Sequence, residues 1–268
     1  WTGVGVVPRT ITGRELAGAR ATFRHPLVTM DNYPVNDYAH GRILLADYSN
    51  REPGLADQVV GVISNPMNQA AASKLALYSF AEFGWNPATY DQQASWHRAI
   101  AERANNDPET IAALEVFADL TTYDGKLHLE NAPVLAAKIA GFWQTWKAGN
   151  LVDAIAELEP YFDAIVEAPA TIRDGVPDPA FSDEAGAWLD ASFLWGEALI
   201  ESLRLLEGVA DGNSSEIATA RAQINHLVRQ AGEISDSRLP HSSTHPRVGD
   251  GVADKFIADV ERVAESEG

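Results

Sequence analysis

Residues 27–37 read LVTMDNYPVND, an apolar run that breaks into two Asn/Asp pairs around a Tyr-Pro turn. The apolar run is typical of a buried strand, and the turn indicates where that strand ends. The polar side chains therefore lie at the end of a strand, which is where α/β enzymes place their ligand-binding groups. The stretch predicts an α/β fold with a binding site at this point.

A second strand of the same kind is predicted over residues 59–64, and Asn65, Pro66 and Met67 follow it directly. Residues 12–23 precede the first strand and begin with the spacing of a capping box, which predicts a short helix. Residues 69–83 follow the second strand and have high helix propensity. With residues 33–58 as a long loop, this alternation indicates βα units of a parallel barrel.

The character of the chain changes after residue 84. Strand-like runs become rare, and amphipathic helices are predicted over residues 92–104, 108–120, 131–147, 150–167, 183–209, 213–231 and 251–265. No repeat of fixed period is evident among them. We therefore predict two domains, an α/β unit over residues 1–84 and an all-α helical bundle over residues 85–268.

Charge and composition exclude several classes of function. The 268 residues carry 20 Lys and Arg against 38 Asp and Glu, a formal net charge of −18. Such a field repels phosphate backbones, anionic lipid and polyanionic hyaluronan, so we expect no nucleic-acid partner and no membrane partner. No apolar run approaches the roughly 20 residues that cross a bilayer. Cysteine is absent, which excludes disulfides, thiolate zinc sites and a cysteine nucleophile.

Four short motifs occur in a fixed order: Trp-Thr-Gly at 1–3, Asn-Tyr-Pro-Val-Asn-Asp at 32–37, Asn-Pro-Met at 65–67 and Ala-Ser-Lys at 72–74. Together they resemble the catalytic domain of glycoside hydrolase family 84, which contains O-GlcNAcases and bacterial hyaluronidase-like β-N-acetylglucosaminidases. The resemblance is strong up to about Trp96 and weaker afterwards. It implies that residues 1–84 are the C-terminal βα units of a TIM (β/α)8 barrel, with a helical domain after it.

The resemblance assigns sugar contacts to three residues: Asp37 to outer hydroxyls, Asn65 beside it, and Asn32 near the acetamido side. From spacing alone the two asparagines could equally be turn formers, because each lies beside a proline-containing turn. Met30 and Tyr33 are candidate pocket walls, although an aromatic residue at a strand end packs into the interior more often than it stacks on a ligand. Met30 departs from the family, which commonly has an aromatic residue there.

Two neighbouring polar residues have a structural interpretation. We expect Asp31 and Asn36 to hold the loop rather than to touch sugar. Tryptophans in the helical part also favour core packing over a sugar-stacking platform, because bundle cores have the same helical spacing: Trp143 with Trp146, and Trp188 with Trp195.

The family's catalytic centre is a pair of adjacent aspartates. The substrate's acetamido oxygen attacks the anomeric carbon, one aspartate orients and deprotonates that amide, and the other protonates the leaving oxygen; this differs from a two-carboxylate double displacement. No Asp-Asp pair occurs in the 268 residues. The resemblance therefore implies a fragment without catalytic residues, inactive alone, whose missing barrel units lie upstream or in a separate chain.

For the parent protein the resemblance implies a retaining exo-β-N-acetylglucosaminidase that acts on N-acetylglucosamine-containing glycans or glycoproteins and needs no cofactor. The alternative is a non-catalytic carbohydrate-recognition or scaffold protein with a degenerate barrel, to which Met30 gives some support. The compartment stays open, with the extracellular space favoured for the parent. We predict no metal site, because a solvated loop is the favoured interpretation of His241 and His245 near Asp236.

Overall fold

The computed structural model describes residues 1–123, 130–238 and 244–267. The first part of the chain is an α/β unit, whose elements in order are helix α1 (Gly13–Phe23), strand β1 (Val28–Pro34), a short 3-10 helix (Pro53–Asp57), strand β2 (Gly61–Asn65) and helix α2 (Ala70–Trp85). The predicted order of helix, strand, long loop, strand and helix is confirmed. Both strands begin and end one or two residues later than the sequence predicts.

The first helix begins as its sequence predicts. The hydroxyl of Thr12 accepts a hydrogen bond from the amide of Glu15, and the Glu15 carboxylate accepts one from the amide of Thr12 at 2.8 Å. This reciprocal pair satisfies two amides that have no partner inside the helix. A contact three residues apart in sequence therefore fixes where α1 starts.

The two strands form a parallel sheet in which Val28 lies opposite Gly61 and Met30 opposite Ile63. Trp1 continues the sheet on the other edge of β1. Its carbonyl accepts a hydrogen bond from the amide of Met30 at 2.9 Å, and its amino group donates to the carbonyl of Val28 at 3.0 Å. Trp1 therefore lies where the end of a preceding strand is expected, although it belongs to no assigned strand.

The two faces of the sheet have different surroundings, because side chains alternate across a strand. Tyr33 packs in one cluster with Ala76 and Phe83 of α2, so this helix covers the face of the odd-numbered side chains of β1. The opposite face is open: Met30 is 41% exposed and its partner Ile63 is 54% exposed. Parallel sheets are normally covered on both faces, so the open apolar face is the one that a closed barrel would turn inward.

The rest of the chain is helical, and each predicted helix is present: α3 (Gln92–Arg103), α4 (Pro108–Thr121), α5 (Pro133–Lys147), α6 (Leu151–Gly175), α7 (Pro179–Ala210), α8 (Ser214–Glu233) and α9 (Ala253–Glu267). The largest difference is in α6, which continues to Gly175 instead of ending near residue 167. It runs through two prolines. Pro169 and Ile172 are buried on its packed side, so tertiary packing outweighs the tendency of proline to break a helix.

Among the described residues, no helix has the length and apolar character that a bilayer span requires.

One hydrophobic core joins the two parts of the chain. Ile43, Leu45 and Leu75 of the α/β part belong to the same buried cluster as Phe117 and Phe162 of the helical part. Core packing of the tryptophans is confirmed, because they lie in this cluster or pack against it: Trp188, Trp143, Trp146 and Trp195. The chain is helical after α2, but both parts surround a common interior.

Polar contacts also cross from one part to the other. Helix α2 has no side-chain cap of its own, and the carboxylate of Glu184 on α7 accepts hydrogen bonds from the amides of Ala71 and Ala72 at 2.6 and 3.1 Å. The indole N–H of Trp96 donates to the carbonyl of Leu45 at 2.9 Å. The helical part thus supplies hydrogen-bond partners for backbone groups of the α/β part.

Candidate functional site

Asn32 and Asn65 meet at the carboxyl end of the sheet, on its open face. The Nδ2 of Asn65 donates to the Oδ1 of Asn32 at 3.0 Å, and the Nδ2 of Asn32 donates to the carbonyl of Val6 at 2.5 Å. A register shift after Asp31 places Pro34 opposite Asn65, which brings the two strand ends together. The structure thus joins two of the three residues singled out from the sequence.

These hydrogen bonds show which side-chain atoms of the two asparagines are available to a ligand. Asn32 uses both its amide nitrogen and its oxygen within the protein. The Oδ1 of Asn65 has no hydrogen-bond partner in the part of the chain that the structure describes, and Asn65 is partly exposed. A ligand hydroxyl can therefore donate to Asn65, while Asn32 holds that side chain in place.

Asp37 lies on the loop after β1 and is exposed. Two residues earlier, the amide of Val35 donates to the carbonyl of Asn65 at 2.8 Å, so the loop leaves the sheet directly beside the asparagine pair. The structure describes no side-chain contact between Asp37 and either asparagine. With no hydrogen bond or ion pair to another described residue, the Asp37 carboxylate is available to accept from a ligand.

Tyr38 follows Asp37 in the sequence and keeps its phenolic proton at physiological pH. Burial raises the pKa of Tyr38 to about 12, with smaller contributions from Tyr123 and from the charge of Asp37. The phenol stays protonated because loss of its proton would place a second negative charge beside Asp37 in a poorly solvated position. Tyr38 is therefore a neutral neighbour of the Asp37 carboxylate.

Asp31 holds the loop, as expected, through a buried ion pair. Its carboxylate accepts from Arg51 Nε at 2.7 Å, from Arg51 Nη2 at 2.8 Å and from the Tyr48 hydroxyl at 2.6 Å. The Asp31 and Arg51 side chains are 0% and 2% exposed. Burial, followed by the charge of Asp31, raises the pKa of Tyr48 well above its usual value, so this hydroxyl remains a donor.

Asn36 also holds the loop rather than facing solvent. Its Nδ2 donates to the carbonyl of Arg42 at 2.8 Å and to the Oε1 of Gln69 at 2.9 Å. Gln69 is the residue before α2, so Asn36 ties the loop after β1 to the start of the helix after β2. The structural interpretation of both Asp31 and Asn36 is consistent with these contacts.

The two candidate wall residues lie on opposite faces of the sheet. Met30 lies two residues before Asn32 on β1, so its side chain is on the same open face. Tyr33 is 2% exposed, and its hydroxyl donates to the carbonyls of Ala46 and Asp47. Tyr33 is therefore an interior residue, because strand alternation turns it away from Asn32 and toward α2.

Arg51 and Tyr48 were missed by the sequence reasoning. Both lie in a loop without periodicity, and they meet Asp31 across 20 and 17 residues. No spacing rule connects residues that far apart. The only local signal is the unusual length of the loop, which points to function or internal packing without naming the residues.

The loop considered for metal binding forms other contacts. Asp236 pairs with Arg238 at 2.8 Å, and the Nδ1 of His245 lies 2.8 Å from the carbonyl of Ile234. His241 is outside the described residues. Within the described ranges, no group of three or more His, Cys, Asp or Glu side chains is arranged to hold a metal ion.

Both parts of the chain match known protein families. Residues 1–119 match the family described as beta-N-acetylglucosaminidase, and residues 134–257 match the family described as hyaluronidase post-catalytic domain-like. The protein O-GlcNAcases of Rattus norvegicus and Mus musculus are each 30% identical to this chain over 81 residues. That match covers 30% of this chain and 9% of each relative.

Solved structures match the fold over almost the whole chain. A mutant of the Thermobaculum terrenum O-GlcNAc hydrolase is 25% identical with a TM-score of 0.86, and the match covers 99% of this chain and 55% of that one. CpGH84D is 22% identical with a TM-score of 0.87, and the match covers 99% of this chain and 44% of that one. The chain therefore spans about half the length of these solved proteins and a small part of the curated ones.

Proposed function

Because this chain belongs to glycoside hydrolase family 84, as part of the β-N-acetylglucosaminidase domain followed by the helical domain, we propose that its parent protein is a retaining exo-β-N-acetylglucosaminidase. In this proposal the 268 residues supply one side of the sugar pocket. The observation that carries it is the meeting of Asn32 and Asn65 at the carboxyl end of the parallel sheet. Ligands of α/β barrels bind at that end of the strands.

The chemistry of the site fits a pyranose. Sugar hydroxyls both donate and accept hydrogen bonds, and carboxylates and carboxamides can bridge neighbouring hydroxyls. We assign Asp37 to the outer hydroxyls and Asn65 to the position beside it, since both have free acceptor oxygens. Asn32 lies toward the acetamido side and orients Asn65 through the 3.0 Å hydrogen bond.

The acid and base of the reaction are proposed to lie in a part of the barrel outside these residues. The family mechanism needs two adjacent aspartates, and the chain contains no such pair. The match covers 55% and 44% of the two solved proteins described above, which supports this placement. The substrate class is then a terminal β-linked N-acetylglucosamine on a glycan or glycoprotein.

The second candidate is a carbohydrate-recognition protein whose barrel has lost activity. It is supported by Met30, which stands on the open face where the family commonly has an aromatic residue. Hydrolysis of an aryl N-acetylglucosaminide by the complete protein separates the two candidates. Turnover supports the enzyme, whereas sugar binding without turnover supports the recognition protein.

Replacing Asp37 by Ala in the complete protein is expected to weaken N-acetylglucosamine binding by about 1.5–3 kcal/mol, roughly a 10- to 150-fold loss of affinity. The reason is that a charge-assisted acceptor is removed and its hydroxyl partners are left unpaired. Calorimetric titration with the sugar and the KM for an aryl N-acetylglucosaminide measure the effect.

Asp57→Ala is the matched control for that substitution. Asp57 is also exposed, but it precedes β2 and so lies toward the amino end of the sheet, away from the site. Its removal should leave both the affinity and the KM unchanged. If Asp37→Ala binds and hydrolyses like the unaltered protein, the assignment of Asp37 to the sugar is wrong.

A further inference from the structure

The loop that carries Asp37 (residues 35–45, the Asp37 loop) is held by the helical part of the chain as well as by the sheet. The carbonyl of Gly41 accepts two hydrogen bonds, from Trp188 Nε1 at 2.8 Å and from the amide of Arg247 at 2.7 Å. Trp188 lies within α7 and is 1% exposed. Its indole N–H has little access to water and therefore depends on this acceptor.

Gly41 is required for this close approach. Its φ is +80°, a backbone conformation that side chains disfavour. A Cβ at this position would lie 2.2 Å from the carbonyl oxygen of His245. The Asp37 loop and the segment at residues 245–247 thus lie nearer to each other than a side chain at Gly41 would permit.

Arg42 anchors the same loop to a second point of the helical part. Its Nη2 lies 2.5 Å from Asp250 Oδ2, and its guanidinium carbon lies 3.8 Å from the centre of the Tyr123 ring. The Arg42 side chain is 8% exposed, so removal of its anion leaves a poorly solvated charge. The carbonyl of Arg42 in turn accepts from Asn36, the residue immediately before Asp37.

We propose that Trp188 and Asp250 are positioning residues of the sugar site, which fix Asp37 through Gly41 and Arg42. The inference rests on the proposed function, because it takes Asp37 as a sugar ligand. The Asp37 side chain has no described partner of its own, so its position depends on how the backbone of the loop is held. The helical part of the chain is then a component of the binding site, although its positioning residues do not touch the sugar.

A double-mutant cycle in the complete protein tests this. Asp250→Ala and Trp188→Phe are each made alone and together with Asp37→Ala. The affinity for N-acetylglucosamine and the KM and kcat for an aryl N-acetylglucosaminide are then measured. Each single substitution is expected to weaken binding roughly three- to tenfold, and this effect should disappear in the Asp37→Ala background, since no carboxylate is left to misplace.

Two further variants separate positioning from general stability. Asp178→Ala removes another aspartate of the helical part, which caps the start of α7 at the amide of Ala180 and lies outside the Asp37 loop. Asp178 also pairs with Lys74 of α2 at 2.6 Å and with Arg103 of α3 at 3.2 Å. The substitution should lower the melting temperature without changing sugar affinity. Asp250→Asn keeps a hydrogen-bond acceptor for Arg42 but not the negative charge, and it should restore part of the affinity that Asp250→Ala loses.

The outcomes distinguish this proposal from the proposed function. Unchanged affinity in Asp250→Ala and Trp188→Phe, or losses that persist in full in the Asp37→Ala background, would overturn the positioning role alone. Unchanged binding in Asp37→Ala would overturn the sugar role of Asp37, and with it the positioning proposal. Losses that require Asp37 and are partly restored by Asp250→Asn support it.

Discussion

Replacing Arg51 by Met is expected to lower the free energy of unfolding of the complete protein by about 3–5 kcal/mol. The substitution keeps an unbranched apolar stem but removes the cation that pairs with Asp31 among the described residues, and the Asp31 side chain is 0% exposed. A buried carboxylate without its cation keeps its desolvation penalty and loses the attraction that offsets it. Urea denaturation followed by tryptophan fluorescence measures the change.

Arg98→Met is the matched control for this experiment. Arg98 pairs with Glu82 through the same two nitrogens, Nε at 3.1 Å and Nη2 at 2.6 Å, but its side chain is 52% exposed. Water replaces the partner of an exposed charge, so no measurable loss of stability is expected there. Equal effects of the two substitutions would show that burial does not set the strength of the Asp31–Arg51 pair.

Local contacts explain what could be predicted from the sequence. The capping box of α1 joins Thr12 and Glu15, three residues apart, and the apolar runs that predict β1 and β2 are each continuous in the chain. The position of Tyr33 was also predictable from strand alternation: if Asn32 faces the site, its neighbour cannot. Strand alternation therefore gives the correct face for Tyr33 even though its hydrogen-bond partners are not known from the sequence.

Contacts between distant residues explain what could not be predicted. Trp188 and Gly41 are 147 residues apart, and Arg42 and Asp250 are 208 apart. Neither pair has a periodic or motif signature, because its geometry exists only after the helical part has packed on the α/β part. The motifs therefore indicated candidate sugar-binding residues, while the residues that hold them emerged from tertiary structure.

Ile63→Lys is expected to have opposite effects in two contexts. Expressed as residues 1–268 alone, the chain exposes the apolar face of Met30 and Ile63 and the outer edge of strand β2, which favours self-association. A lysine at position 63, which is 54% exposed, should reduce aggregation of this chain. We expect no turnover of an aryl N-acetylglucosaminide by either version.

In the complete protein the same lysine should be destabilising by several kcal/mol and should abolish activity, because the open face becomes the packed interior of a closed barrel and the ammonium group loses its water. Val152→Lys is the control, since Val152 is 80% exposed on α6, outside the sheet; it should be tolerated in both contexts. Light scattering, thermal unfolding and hydrolysis rates give the comparison. If the complete protein tolerates Ile63→Lys as well as it tolerates Val152→Lys, this face stays solvated. Turnover by residues 1–268 alone would show that the acid and base do not lie in a missing part of the barrel.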